Sequence, residues 1–368
     1  MGPGAFDQGP GFSDRDPVSP DENPASLDRP PASFDPVEVA RRHPIAFEGP
    51  AVSFFEGGLL GNGGLGAVVT TRPDAVVVRF GHNNVWDVRI AEDNRDKIGT
   101  FQEVFEKVRR IPDSLASLDD DPWYREYRNM THENYRKPYP RPFPCGSLVL
   151  GFDRRRSELL GHRVDIATGL CTVELVHDGR PVRAEIFAEA ACDRLWIRLV
   201  DEDGRPADGV FNRIALLPDP ETPGEFPPCR KRSSADMLSF EQVLPYEEPH
   251  RYDPAAGHPK DRAFRLSVRT SGPLAFRKRL VKHRFYEETA DPSGCAGFAA
   301  CVHLEEGLAA DLIEGRAHAP DSGPDSHSHN SAEPQAAAAQ QSAEALPVVS
   351  HGAFEEARTQ TAASWRDY

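Results

Sequence analysis

Apolar and polar residues alternate with a period of two through most of the middle of this chain. In Arg194–Val200, Leu195, Ile197 and Leu199 fall on one face and Trp196, Arg198 and Val200 on the other, as a half-buried strand requires. Runs of strand length recur at 67–69, 75–80, 147–152, 163–166, 170–177, 182–188, 211–217, 263–271, 274–282 and 298–304, and a short one at 346–349. Asp178-Gly179 and Asp203-Gly204 carry hairpin turn chemistry, the first joining 171–177 to 182–187. Helical spacing is confined to fewer places. Ile98, Phe101, Val104, Phe105 and Val108 put one apolar face on a short amphipathic helix over Lys97–Arg110, and Phe354, Ala357, Thr361, Trp365 and Tyr368 repeat that spacing at the C-terminal end. Val37–Arg42 suits one or two helical turns that lead into a first strand near His43–Phe47. The prediction is a mainly β protein, a large antiparallel β-sandwich with a short amphipathic helix and a C-terminal helix.

The polar and low-complexity stretches divide the chain. Residues 1–35 are rich in Pro, Asp, Gly and Ser and are expected to be disordered; residues 36–350 form the sandwich domain; 351–368 begin a helix. Within the domain, the proline-rich segment 217–252 reads as an insertion over one edge and 317–341 as a low-complexity loop. A long polar connection between Ile111 and Pro144 carries Trp123, Tyr124, Tyr127, Tyr135 and Tyr139.

One segment stands out for chemistry. Between Phe54 and Ile90, glycine-spaced apolar runs lead into His82, Asn83, Asn84, Trp86 and Asp87, which belong at a strand end or in the loop beyond it. A Trp flanked by amide and carboxylate groups offers a sugar ring an apolar face and partners for its hydroxyls. The same residues also suit a structural role, with Trp86 anchoring the loop and the two asparagines capping a turn.

Composition narrows the alternatives. With 58 acidic against 43 basic residues and a formal net charge of −15, the chain is unsuited to nucleic acid. No apolar run approaches membrane-spanning length, and the N-terminus lacks the basic start and apolar stretch of a secretory signal, so a cytoplasmic location is expected. Six cysteines without framework spacing read mostly as core thiols. GNGGLG fails the dinucleotide-binding spacing, no nucleophile elbow is present, and no triad can be singled out. Asp119, Asp120 and Asp121 read as a surface turn, and His318, His327 and His329 lack companion ligands, so neither a metal nor a cofactor is expected. Glu185 and Glu189 suit the wet face of an edge strand better than a ligand site.

The glycine-rich stretch, Gly61-Asn62-Gly63-Gly64-Leu65-Gly66-Ala67 followed by Asn83 or Asn84 and Trp86, resembles the N-terminal domain of glycoside hydrolase family 95, the fucosidase-type group. Three further segments resemble it in the same order: Pro144–Leu150, His162–Gly169 and Val182–Leu199. The Trp loop departs from the pattern, because His82-Asn83-Asn84-Val85 stands where those enzymes carry an acidic residue, and fucose is not carried over. The resemblance implies a sandwich of the super-sandwich type and a linker helix with a Trp motif around Trp365. It also implies a helical toroid supplying the catalytic acid and base. Nothing in this chain resembles the toroid, so the paired carboxylates are expected beyond Tyr368, and the chain is expected to be a fragment with no catalytic residues of its own. Two functions follow as expectations. One is the N-terminal domain of a glycoside hydrolase, with His82, Asn83, Asn84, Trp86 and Asp87 contacting carbohydrate or the toroid. The other is a non-catalytic carbohydrate-binding or structural sandwich.

Overall fold

The computed structural model describes residues 35–89, 99–134, 140–246, 257–281, 285–314 and 346–366. In chain order the first strands are β1 (Ile45–Glu48), β2 (Gly58–Gly61), β3 (Leu65–Arg72), β4 (Ala75–His82), β5 (Trp86–Asp87), β6 (Arg141–Pro142), β7 (Ser147–Phe152), β8 (Ser157–Asp165) and β9 (Leu170–His177). They are followed by β10 (Arg180–Ala188), β11 (Arg194–Asp201), β12 (Phe211–Leu217), β13 (Arg230–Ser233), β14 (Met237–Leu244), β15 (Arg262–Thr270), β16 (Ala275–Val281), β17 (Phe285–Asp291) and β18 (Ala299–Leu308). The helices are α1 (Pro36–Arg42), α2 (Phe101–Arg109), α3 (Pro122–Asn134), α4 (Ala309–Glu314) and α5 (His351–Arg366).

Two antiparallel sheets carry the fold. The nine-stranded sheet runs β1-β8-β9-β10-β11-β18-β15-β14-β13, the seven-stranded sheet runs β16-β17-β12-β7-β4-β3-β2, and β5 and β6 form a separate two-stranded ribbon. The alternation read from the sequence decides which side chains meet. Leu195, Ile197 and Leu199 of β11 join Val173, Ile186, Val302 and Leu266 from the first sheet and Val78, Leu150 and Ile214 from the second in one buried core. The mainly β antiparallel architecture expected from the sequence is the one observed.

Local chemistry explains the connections. Asp178 and Gly179 both take positive φ, 48° and 77°, as a two-residue hairpin between β9 and β10 demands. At Asp203-Gly204 the turn folds the chain back on the end of β11, with the Asp201 N–H donating to the Arg205 carbonyl at 2.9 Å and Val200 bridging Pro206, but the returning segment is no full strand and the chain passes on to β12 in the other sheet. The predicted amphipathic helix is α2, opened by a capping box in which Thr100 and Glu103 each bond the other's backbone N–H. Its Phe101 is 86% exposed and stacks on Phe105.

Several expectations need adjustment. The polar connection from 111 to 144 contains α3, whose first turn is capped by the Asp121 carboxylate accepting from the Tyr124 N–H at 2.8 Å. Asp119 pairs with Arg128, and Asp120 completes a capping box with Ser117, so the acidic run terminates helical turns. The segment 217–252 contributes β13 and β14 to an edge of the nine-stranded sheet. Residues 346–350 are not a strand, and 309–314 are helical. The expectations for residues 1–34, for 317–341 with its histidines, for Tyr135, Tyr139 and Tyr368, and for the Trp365 side chain lie outside the described residues.

The outer face of the nine-stranded sheet is covered by α5. Trp196, opposite the core-facing leucines, lies beneath this helix in a second cluster with Phe187, Cys301, Phe354 and Ala357. Phe354 meets Phe187 edge-on at 5.0 Å between ring centroids, and the Trp196 indole N–H donates to Glu189 at 2.9 Å. Glu185 is buried too, bonded to Arg198 at 2.6 Å, while Arg198 reaches Glu355 of α5, also at 2.6 Å. Burial pushes the Glu185 carboxyl up, but hydrogen bonds from Arg198 and Arg183 outweigh it and hold the group below its ordinary range. Glu185 and Glu189 are therefore not wet-face residues: Glu185 helps to anchor the covering helix, and Glu189 holds the Trp196 indole beneath it.

Replacing Phe354, which is fully buried, by Ala is expected to cost about 3–5 kcal/mol in chemical denaturation. Phe101→Ala is expected to change stability by less than about 0.5 kcal/mol, because its ring is already largely in water.

Candidate functional site

The glycine-rich hairpin between β2 and β3 is built around Asn62. Its side-chain carbonyl accepts from the Gly64 and Leu65 N–H groups at 3.0 and 2.8 Å, forming a local turn. Its amide nitrogen donates to the carbonyls of Glu189 and Cys192 at 3.0 and 2.9 Å. Those carbonyls belong to the turn between β10 and β11 in the opposite sheet, so one side chain joins the ends of both sheets. Asp193 in that turn reaches back, accepting from the Leu65 N–H at 3.1 Å and meeting His82 Nε2 at 3.0 Å. A side chain at position 64 would place its Cβ 2.8 Å from the Asp193 carboxylate, which explains the glycine.

His82, the last residue of β4, is buried. Its Nδ1 accepts from the Asn84 N–H at 3.1 Å, which assigns the ring proton to Nε2 and makes that nitrogen the donor to Asp193. Burial pushes the Asp193 carboxyl up, yet His82, Asn62 and the Leu65 N–H together bring it below the usual carboxylate range.

The five residues singled out from the sequence divide in two. His82 faces inward, and Asp87 is buried in a bidentate pair with Arg89, both contacts at 2.9 Å. The Arg89 guanidinium lies 4.2 Å from the centroid of the Phe226 ring and 3.5 Å from a Glu225 oxygen, tying the ribbon to the proline-rich segment. Asn83, Asn84 and Trp86 face outward. Trp86 is 40% exposed, and its indole N–H donates to the Asn83 carbonyl at 2.6 Å. The Asn83 amide bonds the Gly63 carbonyl, and the Asn84 amide bonds Glu306 at 3.0 Å. The outcome is a rigid, half-exposed indole beside two anchored amides.

Asn62, Arg89, Asp193 and Glu306 also build the site and are not among the residues expected from the sequence. Asn62 carried a usable signal, since Asn before glycines favours turns that its own side chain closes; Asp193 and Glu306 act across more than 100 residues and had none. Among the described residues no group of three or more His, Cys, Asp or Glu side chains could hold a metal ion. No helix among them is long and apolar enough to cross a membrane. All six cysteines are free thiols, and burial raises Cys171 to about 12, far from a reactive thiolate.

Residues 45–204 match the family model described as "Glycosyl hydrolase family 65, N-terminal domain". This part of the chain is related to that domain. The match replaces family 95, whose resemblance rested on the Gly61–Ala67 hairpin and on the strand segments 144–150, 162–169 and 182–199. Among solved structures the chain is similar to one described as "Putative kojibiose phosphorylase from human microbiome", at 7% identity and a TM-score of 0.28. That similarity covers 75% of this chain and 29% of the other. No curated protein matches.

Removing Arg89 while keeping its bulk, as in Arg89→Met, is expected to cost about 3–5 kcal/mol because Asp87 is left buried and unpaired. Trp86→Ala is expected to cost about 1 kcal/mol or less. Parallel urea titrations of the two variants and the parent check both values.

Proposed function

We propose that the chain is a non-catalytic β-sandwich domain of a family 65-type carbohydrate-active enzyme, with the catalytic acid and base supplied by a separate helical toroid domain. The match of residues 45–204 to the N-terminal domain of that family carries this reading. Asn83, Asn84 and Trp86 are the proposed contacts to carbohydrate or to the toroid, and His82 and Asp87 hold the loop that presents them. The geometry suits the role: an indole face half in water, fixed at its N–H, stacks on the C–H face of a sugar without first being ordered. The asparagines each keep a side-chain oxygen able to accept from a hydroxyl. A cytoplasmic setting belongs to the same proposal and is supported by the six free thiols.

Calorimetric titration of the chain with neutral oligosaccharides, alone and with a family 65-type toroid domain added, tests the proposal. The expected result is weak sugar binding, or toroid binding, lost in Trp86→Ala with the melting temperature nearly unchanged. Sugar binding unaffected by Trp86→Ala, together with no toroid association, would remove the loop from the site. Sugar binding with no toroid association would favour a stand-alone binding module. Turnover of an aryl glycoside by the isolated chain would contradict its non-catalytic assignment.

A further inference from the structure

The cover helix α5 begins with a titratable residue in an unusual setting. Ser350 caps the helix, its hydroxyl accepting from the Ala353 N–H at 3.1 Å and its carbonyl from the Phe354 N–H at 3.0 Å, which places His351 at the first helical position. The imidazole packs on Gly297, where a Cβ would lie 3.3 Å from Nε2. Nε2 itself is buried and has no hydrogen-bond partner. The chain at Gly297 takes a positive φ of 70°, and a neighbouring contact fixes its position, because the Gly297 carbonyl accepts from Ser271 at 2.9 Å.

An ion-pair network drawn from three elements lies beside this ring. From the sheet, β11 contributes Arg198, and β10 contributes Glu185 together with its partner Arg183. From the helix come Glu355, paired with Arg198, and Arg358, 3.9 Å from Glu185. Of this ion-pair network, Arg198 and Glu185 act on the His351 ring directly, and Glu185 is already engaged by Arg198 and Arg183. The positive end of the helix dipole adds to the effect of Arg198. A proton on His351 would enter a buried site beside the Arg198 guanidinium, where the Gly297 and Phe298 backbone and Glu185 only partly offset the cost.

We propose that His351 is an acid-sensitive clasp: with a neutral imidazole α5 is held on the outer face of the nine-stranded sheet, and protonation loosens the helix and uncovers Trp196, Phe187 and Cys301. Burial and Arg198 both hold the His351 imidazole below its ordinary value, against an opposing influence from the Gly297 and Phe298 backbone and from Glu185. The sign follows from linkage. A released His351 has an ordinary pKa of about 6.5, so the undocked state takes up the proton first. The helix is fully held above about 6.5 and loses its hold as the pH falls below that value.

Hydrogen exchange of residues 351–366 in the full chain, corrected for the intrinsic rate, tests the clasp. The expected result is an opening constant for α5 that rises as the pH falls below about 6.5, by at most about tenfold per pH unit and levelling off once the docked ring is itself protonated, with β10 and β11 unchanged. In His351→Gln the rise should vanish. An α5 opening constant that is flat with pH in the parent, or that rises equally in His351→Gln, overturns the proposal. An NMR titration of the unsubstituted protein provides a second test: a His351 pKa at or above about 6.5 also overturns it.

Discussion

A sandwich whose two sheets share no strand must fix the position of one sheet against the other at its ends. Here that task falls to the reciprocal contact between Asn62 and Asp193. Asn62 spans from the β2–β3 hairpin to the carbonyls of Glu189 and Cys192, and Asp193 returns from that turn to the Leu65 N–H and to His82. The apolar core drives the sheets together without choosing a lateral register, since burial is non-directional. Directional bonds to backbone groups choose it. The same bonds decide where β4 ends, how Asn84 leaves His82, and hence where Trp86 stands. The exposed loop is a consequence of the buried contact.

The opposite side of the nine-stranded sheet follows a similar logic. A strand inside a sheet that is covered on both faces has no wet side, and β11 is buried along nearly its whole length. Its outward residues are Trp196 and Arg198, and α5 meets them with Phe354 and Glu355. An ion pair in that position is satisfied by several partners, which limits the cost of removing charge from water.

Much of this was legible in the sequence. Alternation in 194–200 identified two faces correctly, and the spacing of Phe354, Ala357 and Thr361 identified the buried stripe of α5. What alternation does not reveal is the partner of each face: Trp196 packs under a helix rather than against the second sheet. The helix α3 was hidden because its apolar residues are aromatic and sparse, and β13 because Arg230–Ser233 is exposed throughout at an edge. Basic residues there blunt an open edge and leave no hydrophobic signature. The family assignment to 95 failed for a related reason. A glycine-rich hairpin closed by Asn62 and a turn such as Asp165–Gly169 express what antiparallel sheets need at their ends, so they carry geometry further than identity. In the candidate site, Trp86 and the two asparagines were visible by residue type, whereas Asp193 and Glu306 became partners only through folding.

A double-mutant cycle at Asn62 and Asp193, with stabilities from urea titration of Asn62→Ala, Asp193→Ala and the double variant, tests most directly whether these residues form a single tie between the sheets. The account predicts strong coupling, on the order of 1–3 kcal/mol, with the second substitution costing much less than the first. Additive effects within about 0.5 kcal/mol would contradict it and leave the position of the sheets to core packing and the other contacts between them.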